Sequence, residues 1–349
     1  MLERVPYTRV PQGGVQGVYS THTNRSEITS TVISENHSAQ FIPPEQLTTK
    51  SNIDPAKIKF TDIFKPKLLF EKILKKFLYP AGKHGLFKLL KPAKPFEEHK
   101  IQTNNGQVIN TWLALNPNPQ ARTKIFFHGN ASNITSFQKQ AQEEFARGNN
   151  ACLVSYRGYS GNDGTPSQDG IIRDTNDVID YLINNQNLKT DTIDFVAHSL
   201  GSAVVLNTLA HRTGNNPSEC FGELKLIAPF KSMQGLIKNK LKFIPQFVIN
   251  YLTNSWNNLE AIKKLKNKVS KINLVHGKND SLIPYEHSVE LYQEALKIGA
   301  QADLNLIDGK NHNNIVQQEC HAKNPTSKSA VLPHAHHRSA KTLSSAEQS

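Results

Sequence analysis

The run IDFVAHSLGSA, residues 193–203, constrains this chain more than any other segment. An apolar stretch with strand character passes through His198-Ser199-Leu200-Gly201 and continues directly into an amphipathic helical pattern. A chain that turns from strand to helix on a serine holds that serine on a tight, strained and exposed turn. Small residues two before and two after, here Ala197 and Gly201, let the backbone bend. The helix behind brings free N–H groups and its positive dipole end to the place where negative charge would develop. Ser199 is thereby a candidate nucleophile; the plainer alternative is a helix-capping serine.

The surrounding pattern supports the first reading. From about residue 97, short apolar runs alternate with helical stretches, as in a sheet wrapped by helices. HKIQT and QVINTWLAL flank an Asn-Asn-Gly turn as a hairpin, and TKIFFHG, ACLVSYRG, TIDFVAHS, LKLIAPF, KINLVHG and LNLIDG follow as strands. Helices are predicted near 133–147, 166–185, 200–212 and 287–298. The second is expected to open on a capping box from Thr165 to Gln168, with Pro166 at its first position. The fold class is α/β: one doubly wound, mostly parallel sheet.

Three further segments carry chemistry. IFFHGNAS ends a strand at His128-Gly129-Asn130, where a backbone N–H of Asn130, paired with that of Leu200, would form an oxyanion hole. His128 itself is expected to be a structural loop residue. In LVHGKNDSLIP, Asp280 follows a strand end and can hold an imidazole tautomer. In LIDGKNHNN, His312 follows the last strand as candidate general base. The order Ser, Asp, His, each on a loop after a strand, unites them.

On these motifs, residues 97 to about 318 resemble the α/β-hydrolase superfamily, in particular the membrane-associated ABHD-type serine lipases and depalmitoylases. The matching segments are His128-Gly129-Asn130, SYRGYSGNDGTPS at 155–167, AHSLGSA at 197–203, HGKNDSLIP at 276–284 and GKNH at 309–312. The resemblance implies a Ser199, Asp280, His312 triad that cleaves carboxylic esters or thioesters of acyl or lipid substrates through an acyl-enzyme, with no cofactor and no metal. The chain departs from the pattern at Ala197 and at Ser160, both usually Gly, and it has neither a spanning helix nor an N-terminal cysteine cluster. The other readings are a catalytically silent binding module and a serine peptidase on the same fold.

Outside this domain the chain is polar. Across 349 residues the hydrophobic fraction is 37% and mean hydropathy −0.49, low enough that polar tails must dilute a normal core. Residues 1–50 and 319–349 are expected to be disordered. Cys152, Cys220 and Cys320 have no disulfide or zinc spacing, and no apolar leader or 18-residue apolar run occurs, so a cytoplasmic setting is expected. Net charge is +12, concentrated in residues 56–100 (12 Lys against 4 acidic) and 231–271 (9 Lys against Glu260). The first window holds basic amphipathic lead-in helices over 56–96, with Lys67–Leu78 the clearest. The second overlaps a cap at about 230–268, whose Phe243, Phe247, Tyr251 and Trp256 are candidates either to line an acyl site or to pack the cap on the core. Such charge is expected to meet an anionic membrane surface. Neither window contains a nucleic-acid-binding module, so nucleic acid is not an expected partner.

Overall fold

A computed structural model describes residues 40–41, 79, 91–130, 132–240 and 256–318. The lead-in helices (apart from Tyr79 and 91–96), most of both polar tails, and cap residues 241–255 with Phe243, Phe247 and Tyr251 lie outside the described residues.

The expected hairpin is β2 (Glu97–Gln102) against β3 (Val108–Ala114), closed over a turn in which Gly106 takes φ +81°. The strands that follow are β4 (Thr123–Phe127), β5 (Asn150–Val154), β6 (Ile193–His198), β7 (Phe221–Ile227), β8 (Val269–Gly277) and β9 (Ala302–Ile307). They hydrogen-bond in the order β2-β3-β5-β4-β6-β7-β8-β9, antiparallel up to β5 and parallel beyond it. A two-residue strand, β1 (Gln40–Phe41), pairs antiparallel with β2 at Gln102 and Ile101. These two residues lie within the N-terminal segment 1–50, and their backbone partners come from the edge of β2.

Seven helices cover the sheet among the described residues: α1 (Gln138–Ala146), α2 (Gln168–Asn184), α3 (Leu200–Asn215), α4 (Met233–Lys240), α5 (Asn258–Lys263), α6 (Glu286–Lys297) and α7 (Asn314–Gln318). Side chains alternate across each strand, so β4 sends Ile125 and Phe127 to one face and Phe126 to the other. The first face packs against α2, α3, α5 and α6 through Val178, Leu206, Ile262 and Leu291. The second packs against α1 and α7 through Ala141 and Ile315. Burial on both faces explains why these strands read as continuous apolar runs.

The start of α2 corrects the expected capping box. Ser167, not Thr165, is the N-cap, its hydroxyl accepting from Gly170 N–H at 3.2 Å, and Gln168 rather than Pro166 opens the helix. Gln168 is drawn instead into a tertiary contact, its Oε1 accepting the Trp256 backbone N–H at 2.6 Å. The predicted helix at 133–147 begins as a 3-10 turn (Ile134–Phe137), capped by Asn133, before α1.

Candidate active site

The chain leaves β4 for β5 on one side and later returns to place β6 on the other, which opens a crevice at the carboxyl ends of the strands. Every predicted site residue on the described chain except Trp256 lies on a loop or helix start at that end. Ser199 follows β6, Asn130 follows β4, Asp280 follows β8 and His312 follows β9.

Ser199 has φ +53° and ψ −115°, a left-handed strained conformation that a non-glycine residue keeps only when its surroundings impose it. Two contacts impose it here. Ser199 N–H donates to the Ile227 carbonyl at 2.9 Å, prolonging the β6–β7 pairing past the strand end. Directly after the turn, α3 presses on β4 at Gly201, where any Cβ would lie 2.3 Å from the Phe127 carbonyl oxygen. Only glycine allows that approach, so the small residue after the serine is a packing requirement.

The side chains of Ser199, His312 and Asp280 form one hydrogen-bonded line. His312 Nδ1–H donates to Asp280 Oδ2 at 2.7 Å, leaving Nε2 to accept from the Ser199 hydroxyl at 3.0 Å. Asp280 Oδ1 accepts from the Leu282 and Ile283 backbone N–H groups at 2.9 and 2.8 Å. Burial opposes ionisation of Asp280, but hydrogen bonds from His276 and His312, with the Ile283 amide, hold its carboxyl well below the usual range. The loops bearing Asp280 and His312 are stitched together: Lys278 N–H reaches the Ile307 carbonyl and Asn279 N–H that of Lys310, each at 2.9 Å. Gly277 permits this crossing, because a Cβ there would meet the Lys310 carbonyl oxygen at 2.2 Å.

Leu200 begins α3, and its N–H belongs to the first turn, where a helix supplies no acceptor of its own. Asn130 lies three residues past the end of β4, its Oδ1 accepting from Tyr159 Oη–H at 2.8 Å. Gly129 packs against the nucleophile turn so closely that a Cβ would lie 2.8 Å from His198 Nδ1 and 3.4 Å from Ser199 Cβ. His128 has the structural role expected of it. Its Nδ1–H donates to the Gly129 carbonyl at 2.9 Å, its ring rests 4.4 Å from that of Tyr156, and burial pushes its pKa down to about 4.

Several residues that shape the site escaped the sequence reading. His198 Nε2–H donates to the His312 carbonyl at 3.0 Å, tying the serine turn to the histidine loop; burial, with His312 alongside, drives its pKa down to about 3. Tyr156 Oη–H donates to the His128 carbonyl at 2.8 Å. Ser160, at φ +50°, accepts the Ile134 N–H at 3.1 Å, which gives the departure from Gly at this position a purpose. The segment SYRGYSG held the signal for the last two, as a motif whose mechanical role was not evident. Trp256, also at positive φ (+45°), is fully enclosed in the core, with its indole N–H donating to Tyr79 Oη at 2.7 Å. That is the packing side of the two roles offered for it.

No protein-family model matches the chain. Among curated proteins, the alpha/beta hydrolase domain-containing protein WAV2 of Arabidopsis thaliana is 29% identical over 213 residues, covering 57% of this chain and 67% of that protein. An alpha-beta hydrolase from Vibrio vulnificus superposes with a TM-score of 0.60 at 18% identity, covering 71% of this chain and 89% of that one. The chain has the α/β-hydrolase fold. The esterase Pf2001 of Pyrococcus furiosus shares the α/β-hydrolase fold at TM-score 0.50 and 18% identity, covering 64% of this chain and 87% of that one.

Proposed function

We propose that this α/β-hydrolase is a serine hydrolase that cleaves carboxylic esters or thioesters of acyl substrates through an acyl-enzyme. The observation that carries the reading is the unbroken line from Ser199 Oγ through His312 to Asp280, mounted on a strained strand-to-helix turn. In this reading His312 Nε2 takes the Ser199 proton as Oγ attacks the acyl carbonyl, and Asp280 stabilises the imidazolium that forms. The Asn130 and Leu200 backbone N–H groups receive the oxyanion. The proton on His312 then passes to the leaving alcohol or thiol, and water repeats the cycle on the acyl-serine, releasing a carboxylic acid. An esterase among the structural neighbours agrees with an ester substrate.

We further propose an acyl-lipid substrate presented at an anionic membrane surface, on the charge of the basic windows 56–100 and 231–271; among the described residues, no helix is long and apolar enough to cross a membrane. Labelling with a fluorophosphonate probe tests the chemistry. Wild-type protein should be labelled and Ser199→Ala should not, at unchanged thermal stability within a few degrees. Persistent labelling of Ser199→Ala would remove Ser199 from the reaction.

A further inference from the structure

His276, at the buried end of β8, was read from the sequence only as part of an apolar strand and an HG motif. Its side chain is fully enclosed and makes three polar contacts. Nε2 lies 3.1 Å from Asp280 Oδ2 and 2.9 Å from the Ile283 carbonyl oxygen, while Nδ1 lies 2.6 Å from Ser288 Oγ in α6. The carboxylate and the carbonyl only accept hydrogen bonds, so Nε2 must carry a proton shared between them. The Ser288 hydroxyl is free to rotate and donate to Nδ1, which favours the same tautomer.

Asp280 is thus held by four N–H groups: two backbone amides on Oδ1, and two imidazoles, His312 and His276, on Oδ2. A carboxylate has about four lone-pair sites, so this one has no remaining freedom to turn. The two histidines compete for one oxygen. His312 has the shorter bond, 2.7 Å against 3.1 Å, and faces the serine, while His276 lies behind the carboxylate on its own strand.

We infer that His276 is a positioning residue, a second imidazole on the triad carboxylate that fixes the aim of Oδ2. The inference rests on the serine-hydrolase reading above. It accords with the depressed ionisation of Asp280, in which the bond from His276 is the largest favourable contribution. Loss of that bond leaves the carboxylate free to turn, so that Oδ2 no longer holds His312 in line with Ser199.

The test compares His276→Leu, which removes the donor, with His276→Gln, whose amide returns an N–H near the Nε2 position. With p-nitrophenyl butyrate as substrate, His276→Leu should lower kcat by about tenfold or more, the worth of one hydrogen bond to a charged group, with KM within about twofold. His276→Gln should recover most of the rate, with KM unchanged. Equal losses of kcat in the two variants would overturn the inference. A measurement on the wild-type protein guards against misfolded variants: histidine nitrogen NMR should show the neutral His276 ring with its proton on Nε2, and the opposite tautomer would overturn the inference. Absence of fluorophosphonate labelling in wild type would instead refute the serine-hydrolase reading. Normal labelling with indifferent His276 variants would refute only the role of His276.

Discussion

At the scale of the single residue, Ser199 stores strain. Its φ of +53° places Cβ in a region that costs an L-residue roughly 1–3 kcal/mol, and the Ile227 carbonyl and the close approach of α3 to β4 over Gly201 keep it there. Glycine occupies that region without penalty. Ser199→Gly should therefore unfold at higher urea than Ser199→Ala, by about 1 kcal/mol or more after the ordinary entropic cost of glycine, and both should be inactive. A glycine variant less stable than the alanine variant would mean that the turn is not strained. Ser160 shows the same tension resolved otherwise: at φ +50° it accepts the Ile134 N–H, a bond that glycine would lack.

At the scale of the element, the strand series was legible because parallel strands buried on both faces leave uninterrupted apolar runs, and Ser199, Asn130, Asp280 and His312 were legible as candidates because each lies within five residues past the end of one. His276 was not, since a polar group at the end of such a run has no periodicity to betray its partner. The two residues of β1 were too few to carry a pattern. The capping box failed for a physical reason: Thr165 and Ser167 compete for the same helix start, and Gln168, the residue meant to complete the box, serves Trp256 instead. That bond joins the start of α2 to the cap segment at Trp256. Trp256 is itself at φ +45°, and its buried amide needs an acceptor. Gln168→Ala should cost about 1–3 kcal/mol in urea unfolding by orphaning that amide, while Gln168→Glu, which keeps an oxygen there, should cost less. Equal stability of the alanine variant and wild type would show that the amide finds another acceptor.

At the scale of the whole molecule, the site imposes a stability limit in acid. Its buried histidines are held neutral: His198 falls from 6.5 to about 3 and His128 from 6.5 to about 4, both through burial. The unfolded chain therefore takes up these protons first, and stability present above about pH 6.5 is lost as pH falls toward the folded-state values. Asp280 acts in the same direction, since its carboxyl ionises more readily folded than unfolded and its contribution is lost in acid. Asp177 on α2 opposes them. Burial raises it from 3.8 to about 6, with Asp180 and Asp174 adding to the rise against two hydrogen bonds from Asn104, so its protonation in acid favours the folded state. The magnitudes decide the sign. Near pH 4.5 the two histidines together cost roughly 5 kcal/mol and Asp177 returns roughly 2, at about 1.4 kcal/mol for each pH unit between folded and unfolded pKa values. A net loss of roughly 3 kcal/mol corresponds to a fall in Tm of about 6–12 °C for a domain of this size. Thermal unfolding followed from pH 8 to 4.5 should therefore show a plateau down to about pH 6.5 and then a decline of that order. His128→Gln, which keeps a donor beside the Gly129 carbonyl and removes one titrating ring, should begin from a lower plateau and decline by well under half as much. A wild-type Tm that stays level to pH 4.5 would mean that these rings find water or an anion when they charge, and that the crevice behind Ser199 opens in acid.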